Sequence, residues 1–157
     1  MILLTHIFIA AIIAAKIKYW PLALFFALLS HYSLDFLPHN EYLIKNIERK
    51  DWKNSEKDFL KIGIDFGIGI ILGMLVFYSS NANFLIISAA VILSILPDGL
   101  TVLYWILPNN KLLKKHYNLS KIIHSVFNNK KENKKSPFFG RIFAQVLVII
   151  IGFAFLG

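Results

Sequence analysis

The chain has 157 residues, of which 57% are hydrophobic and 17% charged, with a mean hydropathy of +0.61, a net charge of +8 and no cysteine. A soluble domain carries about 45–50% apolar and about 25% charged residues, so this composition excludes intrinsic disorder and argues against a soluble globular core. Without cysteine there is no disulfide framework, thiolate metal site, iron–sulfur cluster or cysteine nucleophile.

The surplus apolar residues form blocks separated by lysine-rich stretches. A helix needs about 20 mostly apolar residues to cross a hydrocarbon core about 30 Å thick. The first block covers 2–20, with Lys16 and Lys18 placed to snorkel to an interface. No Lys or Arg precedes it and two lysines follow, the reverse of a signal peptide, so it reads as a retained span. Pro21 suits the first turn of a second span over 21–37, which Pro38 ends. Further blocks follow at 59–79, 84–107 and 138–156.

Between the fourth and fifth blocks, Leu112, Leu113, Leu119, Ile122, Ile123 and Val126 recur at helical spacing among lysines. That pattern predicts an amphipathic helix over 111–129 lying in the membrane interface. The expected fold is therefore a single all-α integral membrane domain over 1–157, with about five transmembrane helices and one interfacial amphipathic helix. Trp20, Trp52 and Trp105 are read as interface anchors.

Orientation follows from the side on which Lys and Arg accumulate. With five spans, one side holds only Lys16 and Lys18, which leaves 15 of the 17 basic residues on the other. The expected location is the cell (inner) membrane, multi-pass, with the N-terminus cytoplasmic and the C-terminus outside. The basic charge is then a topology signal with added attraction for anionic headgroups, and no nucleic-acid partner is needed.

Ionisable side chains within spans are costly and mark function by default. Here they are His6, His31, Asp35, Asp65 and Asp98, with His124 on the amphipathic helix. All six fall in the cytoplasmic half, within about 14 Å of the interface at 1.5 Å rise per residue. His31 and Asp35 are i and i+4, so both leave one helical face and can grip one ion. Pro97 is expected to break the fourth span, with Pro97-Asp98-Gly99 as turn chemistry at membrane depth. Gly67, Gly69 and Gly73 are expected to permit close helix packing. His116 is read as solvated or lipid-facing. Carboxylates and imidazoles without sulfur, facing few cations, point to a divalent metal, zinc first, with manganese or iron as alternatives.

Thr5-His6, Leu29-Ser30-His31 with Asp35 and Pro38-His39, Leu96-Pro97-Asp98 and His124-Ser125 together resemble the YdjM-like membrane-bound metal-dependent hydrolase family. The resemblance covers most of the chain through short motifs, and His31-x-x-x-Asp35-x-x-Pro38-His39 is the most distinctive of them. It implies a metal centre built from His6, His31, Asp35 and Asp98, with His39 and His124 as further members. The chain departs from the family pattern at Gly99 and Leu100, where a second aspartate is usual, and in the diluted run from His116 to His124.

The resulting expectation is a metal-dependent hydrolase at the cytoplasmic face, acting on a lipid-linked ester, chiefly a phosphoester. His6, His31, Asp35, Asp98 and His124 are the expected metal ligands. Asp65 is the candidate base or supporting carboxylate, His39 or Glu41 the proton relay, and Arg141 the group that attracts a lipid phosphate. A membrane lipid or lipid-linked substrate is the expected partner, and five spans enclose so little volume that a homodimer is expected. Two rivals use the same polar cluster: a small ion- or proton-coupled carrier, and a non-catalytic assembly module with a structural metal site.

Overall fold

The computed structural model describes residues 3–37, 39, 44–128 and 138–156. Seven α-helices occur among them and no strand. The first helix, α1 (Leu3–Lys16), is a run of Leu, Ile, Phe and Ala that a turn at 17–19 ends. Pro21 lies in the first turn of α2 (Trp20–Phe36), where its missing N–H costs nothing. A short α3 (Lys45–Glu48) and a 3-10 turn (Trp52–Asn54) lead into α4 (Glu56–Tyr78). There Asp58 accepts the Asn46 backbone N–H at 2.9 Å and lies 3.4 Å from Lys61 Nζ, tying α3 to the first turn of α4. After α5 (Phe84–Ile106) come α6 (Lys111–Asn128) and α7 (Phe138–Ala154). Asn83 caps α5 by accepting the Leu85 N–H, and Asn110 caps the start of α6 by accepting from Leu112 and Leu113.

The short α1 is the axis of the bundle. It packs against α2, α4, α5 and α7, and its buried residues Thr5, His6, Ile7, Phe8, Ala10, Ala11, Ile12 and Ala14 lie on all sides of the helix. Alanine and glycine let the neighbours come close. A Cβ built on Gly69 would stand 2.8 Å from Ile7 Cδ1 and 3.0 Å from Leu4 Cα, and one on Gly73 would touch Ile7 and Ala11. These pairings advance together along both chains, so α1 and α4 run parallel. Gly152 meets Phe8 in the same way, its added Cβ falling 2.6 Å from Phe8 Cε1. Gly67, by contrast, faces open space, so the expected packing role belongs to Gly69 and Gly73.

Two helices, α4 and α5, are long and apolar enough to cross a membrane, not about five. Each has 23 residues, which at 1.5 Å per residue is about 34 Å. The apolar stretch over 2–37 is divided by the turn at 17–19 into helices of 14 and 17 residues. At the other end of the chain α7 also has 17 residues. Lengths of about 21 to 26 Å follow for these three, short of the core thickness.

The helix α5 also passes through Pro97 without a break. Proline removes the N–H that would pair with the Leu93 carbonyl, but the helix continues, as membrane-depth helices do where neighbours support them. Pro97 itself is buried in the bundle, and the Thr101 hydroxyl donates to its carbonyl at 3.2 Å. Asp98 is therefore presented from a regular helix and not from a turn.

A helix over 111–129 was expected, and α6 (Lys111–Asn128) matches it in extent. Leu113 and Ser120 are buried, and Tyr117 stacks on Tyr104 of α5 with ring centroids 4.7 Å apart. The more apolar stripe of Leu112, Leu119 and Ile122 points outward.

Candidate metal centre

The antiparallel return of α2 along α1 brings His31 beside His6, near the start of one helix and the end of the other. The two imidazoles stack with centroids 4.3 Å apart and planes 29° from parallel. Asp35, one turn after His31, lies between them: Oδ1 is 3.3 Å from His6 Nε2 and Oδ2 is 3.1 Å from His31 Nε2. From α5, Asp98 Oδ1 reaches to 3.9 Å from His31 Nε2. His6, His31 and Asp35 are almost completely buried, whereas the Asp98 side chain is 38% exposed. The site is closed on three sides and open at Asp98.

His6, His31 and Asp98 each offer a ligand atom within 4.8 Å of the other two, so this group can hold a metal ion. The donor set also fits a metal in its unmet needs. His6 Nδ1 and Nε2 and His31 Nδ1 are buried without a hydrogen-bond partner, and the 3.3 Å approach of Asp35 to His6 lacks hydrogen-bond alignment. An unpartnered buried polar atom costs about 1–3 kcal/mol. A cation would take one lone pair from each of the two stacked rings, which meets two of these three needs. Nitrogen and carboxylate donors without sulfur suit zinc, manganese or iron.

In comparisons with family models, curated proteins and solved structures, none matches the chain. What the site does is therefore derived from its own residues.

Asp35 was expected as a ligand, but it lies outside the group of three and touches both imidazoles. A carboxylate so placed can orient the rings of metal-binding histidines. Asp35→Asn keeps the shape and removes the charge. It is expected to weaken metal binding about 10–100-fold, measured by competition with a chromophoric chelator.

The other expected site residues are placed as follows. Asp65 is buried on α4, one turn before Gly69, and is not a member of the group of three. His39 is buried just past the end of α2, with Nδ1 donating to the Leu37 carbonyl at 2.6 Å, and is also outside the group. His124 lies on α6 and Arg141 on α7, but their side chains, and Glu41 as a whole, are outside the described residues.

Two residues join the site that the sequence did not assign to it. Tyr32 stands edge-on to the His31 ring, 5.3 Å between centroids and 88° between planes. Its hydroxyl lies 3.4 Å from His116 Nε2, while His116 Nδ1 is buried without a partner. Partial burial, and after it the neighbouring His31 imidazole, hold His116 below the ordinary imidazole range, with Asp98 acting in the opposite direction. The signal for His116 was the spacing Leu113, His116, Tyr117, Ser120, one continuous helical face. His116 was read as solvated or lipid-facing.

Proposed function

We propose that this chain is a multi-pass membrane protein carrying a divalent-metal-dependent hydrolase centre that acts at the cytoplasmic face on a lipid-linked phosphoester. The observation that carries the reading is the buried His6–His31–Asp98 group, braced by Asp35 and open on the Asp98 side. Three protein ligands with one open side is the arrangement of catalytic zinc sites, whereas structural sites are closed by four.

The membrane setting is supported by an inside-out distribution of side chains. Ile64, Ile71, Met74, Leu75, Leu85 and Ile92 on α4 and α5 are exposed, while His6, His31, Asp35, Asp65 and Ser94 are buried. Exposed apolar area on this scale marks a surface meant for lipid or a partner. The shorter α1 is surrounded by other helices and needs no lipid-spanning length of its own. In this reading α4 and α5 cross the bilayer, α1, α2 and α7 pack beside them, and the exposed Leu112, Leu119 and Ile122 of α6 would face the acyl chains. The distribution of lysines supports a cytoplasmic N-terminus, which puts the site near the inner face. The hydrolase chemistry is that implied by the family resemblance.

A divalent ion at the site would polarise the scissile group and lower the pKa of an attacking water. The chain's own part is to hold His6 and His31 in one orientation through Asp35 and to present Asp98 from a rigid helix. It also keeps the apolar core of Ile7, Phe8 and Ala10 behind the site dry. His39, with Nδ1 donating to the Leu37 carbonyl, is the candidate proton relay at the cytoplasmic end.

The test is elemental analysis of detergent-purified protein before and after chelation, followed by phosphate release from a phosphatidic acid and lipid-pyrophosphate panel in vesicles. About one divalent ion per chain, and turnover that chelation removes and metal restores, are the expected results. Metal-free protein, or metal with ion flux in proteoliposomes that Asp65→Asn abolishes and no hydrolysis, would replace the hydrolase with the carrier reading.

A further inference from the structure

The helix α6, which packs on α2 and α5 beside the metal centre, carries lysines and no acidic residue. Between Lys111 and Asn128 it has Lys111, Lys114, Lys115 and Lys121, and His116 directly follows two of these lysines. On its inner face His116 meets Tyr32, 3.4 Å from ring nitrogen to hydroxyl, and Tyr32 leans on the ligand His31. Beside this pair an open groove of about 410 Å³, lined by Tyr32, Ser33, Phe36 and Ile123, runs between α2 and α6.

We propose that Tyr32 and His116 form a phosphate-binding subsite on the open side of the His6–His31–Asp98 group, with the adjoining groove receiving the hydrocarbon chain of a lipid phosphoester. The proposal rests on the hydrolase reading and names the part of the substrate that each residue holds. A hydroxyl that rotates and an imidazole with an unpartnered nitrogen are both suited to donate to phosphate oxygens. The pair faces a centre containing two carboxylates, Asp35 and Asp98, which repel an anion until a divalent ion offsets them. Phosphate binding is thus coupled to metal binding. The groove is lined by Tyr32, Phe36 and Ile123 with Ser33, and α6 also carries the exposed Leu119 and Ile122. A lipid in the bilayer reaches the phosphate subsite through this groove without leaving the membrane.

The experiment is titration of inorganic phosphate into detergent-solubilised full-length protein, with and without zinc, followed by phosphorus NMR line broadening and calorimetry. The zinc-loaded protein is expected to bind phosphate more tightly than the chelated protein. His116→Gln and Tyr32→Phe are each expected to weaken binding about tenfold, with zinc stoichiometry unchanged as evidence that the fold and centre persist. Lys121→Gln alters charge without touching the pair and is expected to change affinity less than about twofold at physiological salt. Equal phosphate affinity in wild type, His116→Gln and Tyr32→Phe, or no phosphate binding by zinc-loaded wild type, overturns the subsite. Failure of the wild type to take up metal would instead overturn the hydrolase reading. In that case phosphate binding by the metal-free protein that is lost in His116→Gln sustains the subsite, and its absence ends it.

Discussion

His31→Ala is expected to leave purified protein with no retained metal, a loss larger than the about 10–100-fold that removal of an orienting partner brings. His31 is the hinge of the site. It supplies one of three ligand atoms, stacks on His6, touches Asp35 at 3.1 Å and supports Tyr32 from the side. Alanine removes all four relations together and leaves the Asp35 carboxylate buried with one imidazole instead of two. Leaving a buried charged acceptor short of a partner costs more than the about 1–3 kcal/mol of a neutral group, so the variant is also expected to unfold at a lower temperature.

That second effect makes a conservative companion necessary. His31→Gln keeps a polar group near Asp35 while withdrawing the imidazole, so metal should be lost with most of the thermal stability retained. Asp98→Asn separates the effects further. Its side chain is 38% exposed and braces no other group as Asp35 does, so metal uptake should fall while the apoprotein's melting temperature stays close to wild type. Elemental analysis and thermal unfolding of the same samples give both readouts. Full metal content in both His31→Gln and Asp98→Asn would show that the three residues are a packing device rather than a metal site.

The residues of the centre were legible in the sequence because they break the rules of their surroundings. Histidine and aspartate in apolar blocks at one depth are a strong signal, and His6, His31, Asp35 and Asp98 are brought together. Their division of labour was not legible. The i,i+4 spacing of His31 and Asp35 shows that they share a face, but whether two such groups hold an ion or one holds the other depends on a third helix, here α1. Asp65 shares the burial but not the cluster, because α4 runs parallel to α1 and puts Asp65 one turn before Gly69, the residue opposite Leu4 and Ile7. Pro97 was misread by a local rule, since a continuous helix is restored by packing that no short stretch of sequence contains. His116 was missed for a related reason. On α6 the less apolar face of Leu113, Tyr117 and Ser120 is the one packed on its neighbours, and other helices, not the stretch itself, decide that.

Gly69→Val is expected to be the most destabilising change away from the metal centre, by about 3 kcal/mol, the upper end of the range for overpacking. A Cβ alone would lie 2.8 Å from Ile7 Cδ1, 3.3 Å from Ile7 Cβ and 3.0 Å from Leu4 Cα. The first of these atoms can turn away, but Leu4 Cα is backbone, so the helices must part. Branching at Cβ adds two further methyl groups to the same gap. The displaced helix carries His6, so zinc retention should fall along with the melting temperature even though Gly69 touches no ligand. Gly67→Ala is the matched control, two residues away on the same helix, with nothing within 4 Å of the added methyl. There the gain in helix propensity is unopposed, and a stabilisation of about 0.5–1 kcal/mol is expected. Thermal unfolding in detergent with zinc analysis before heating distinguishes them: Gly67→Ala should match or exceed wild type in both, and Gly69→Val should fall in both. If the two substitutions behaved alike, the close packing of α4 on α1 at Gly69 would not be what positions His6.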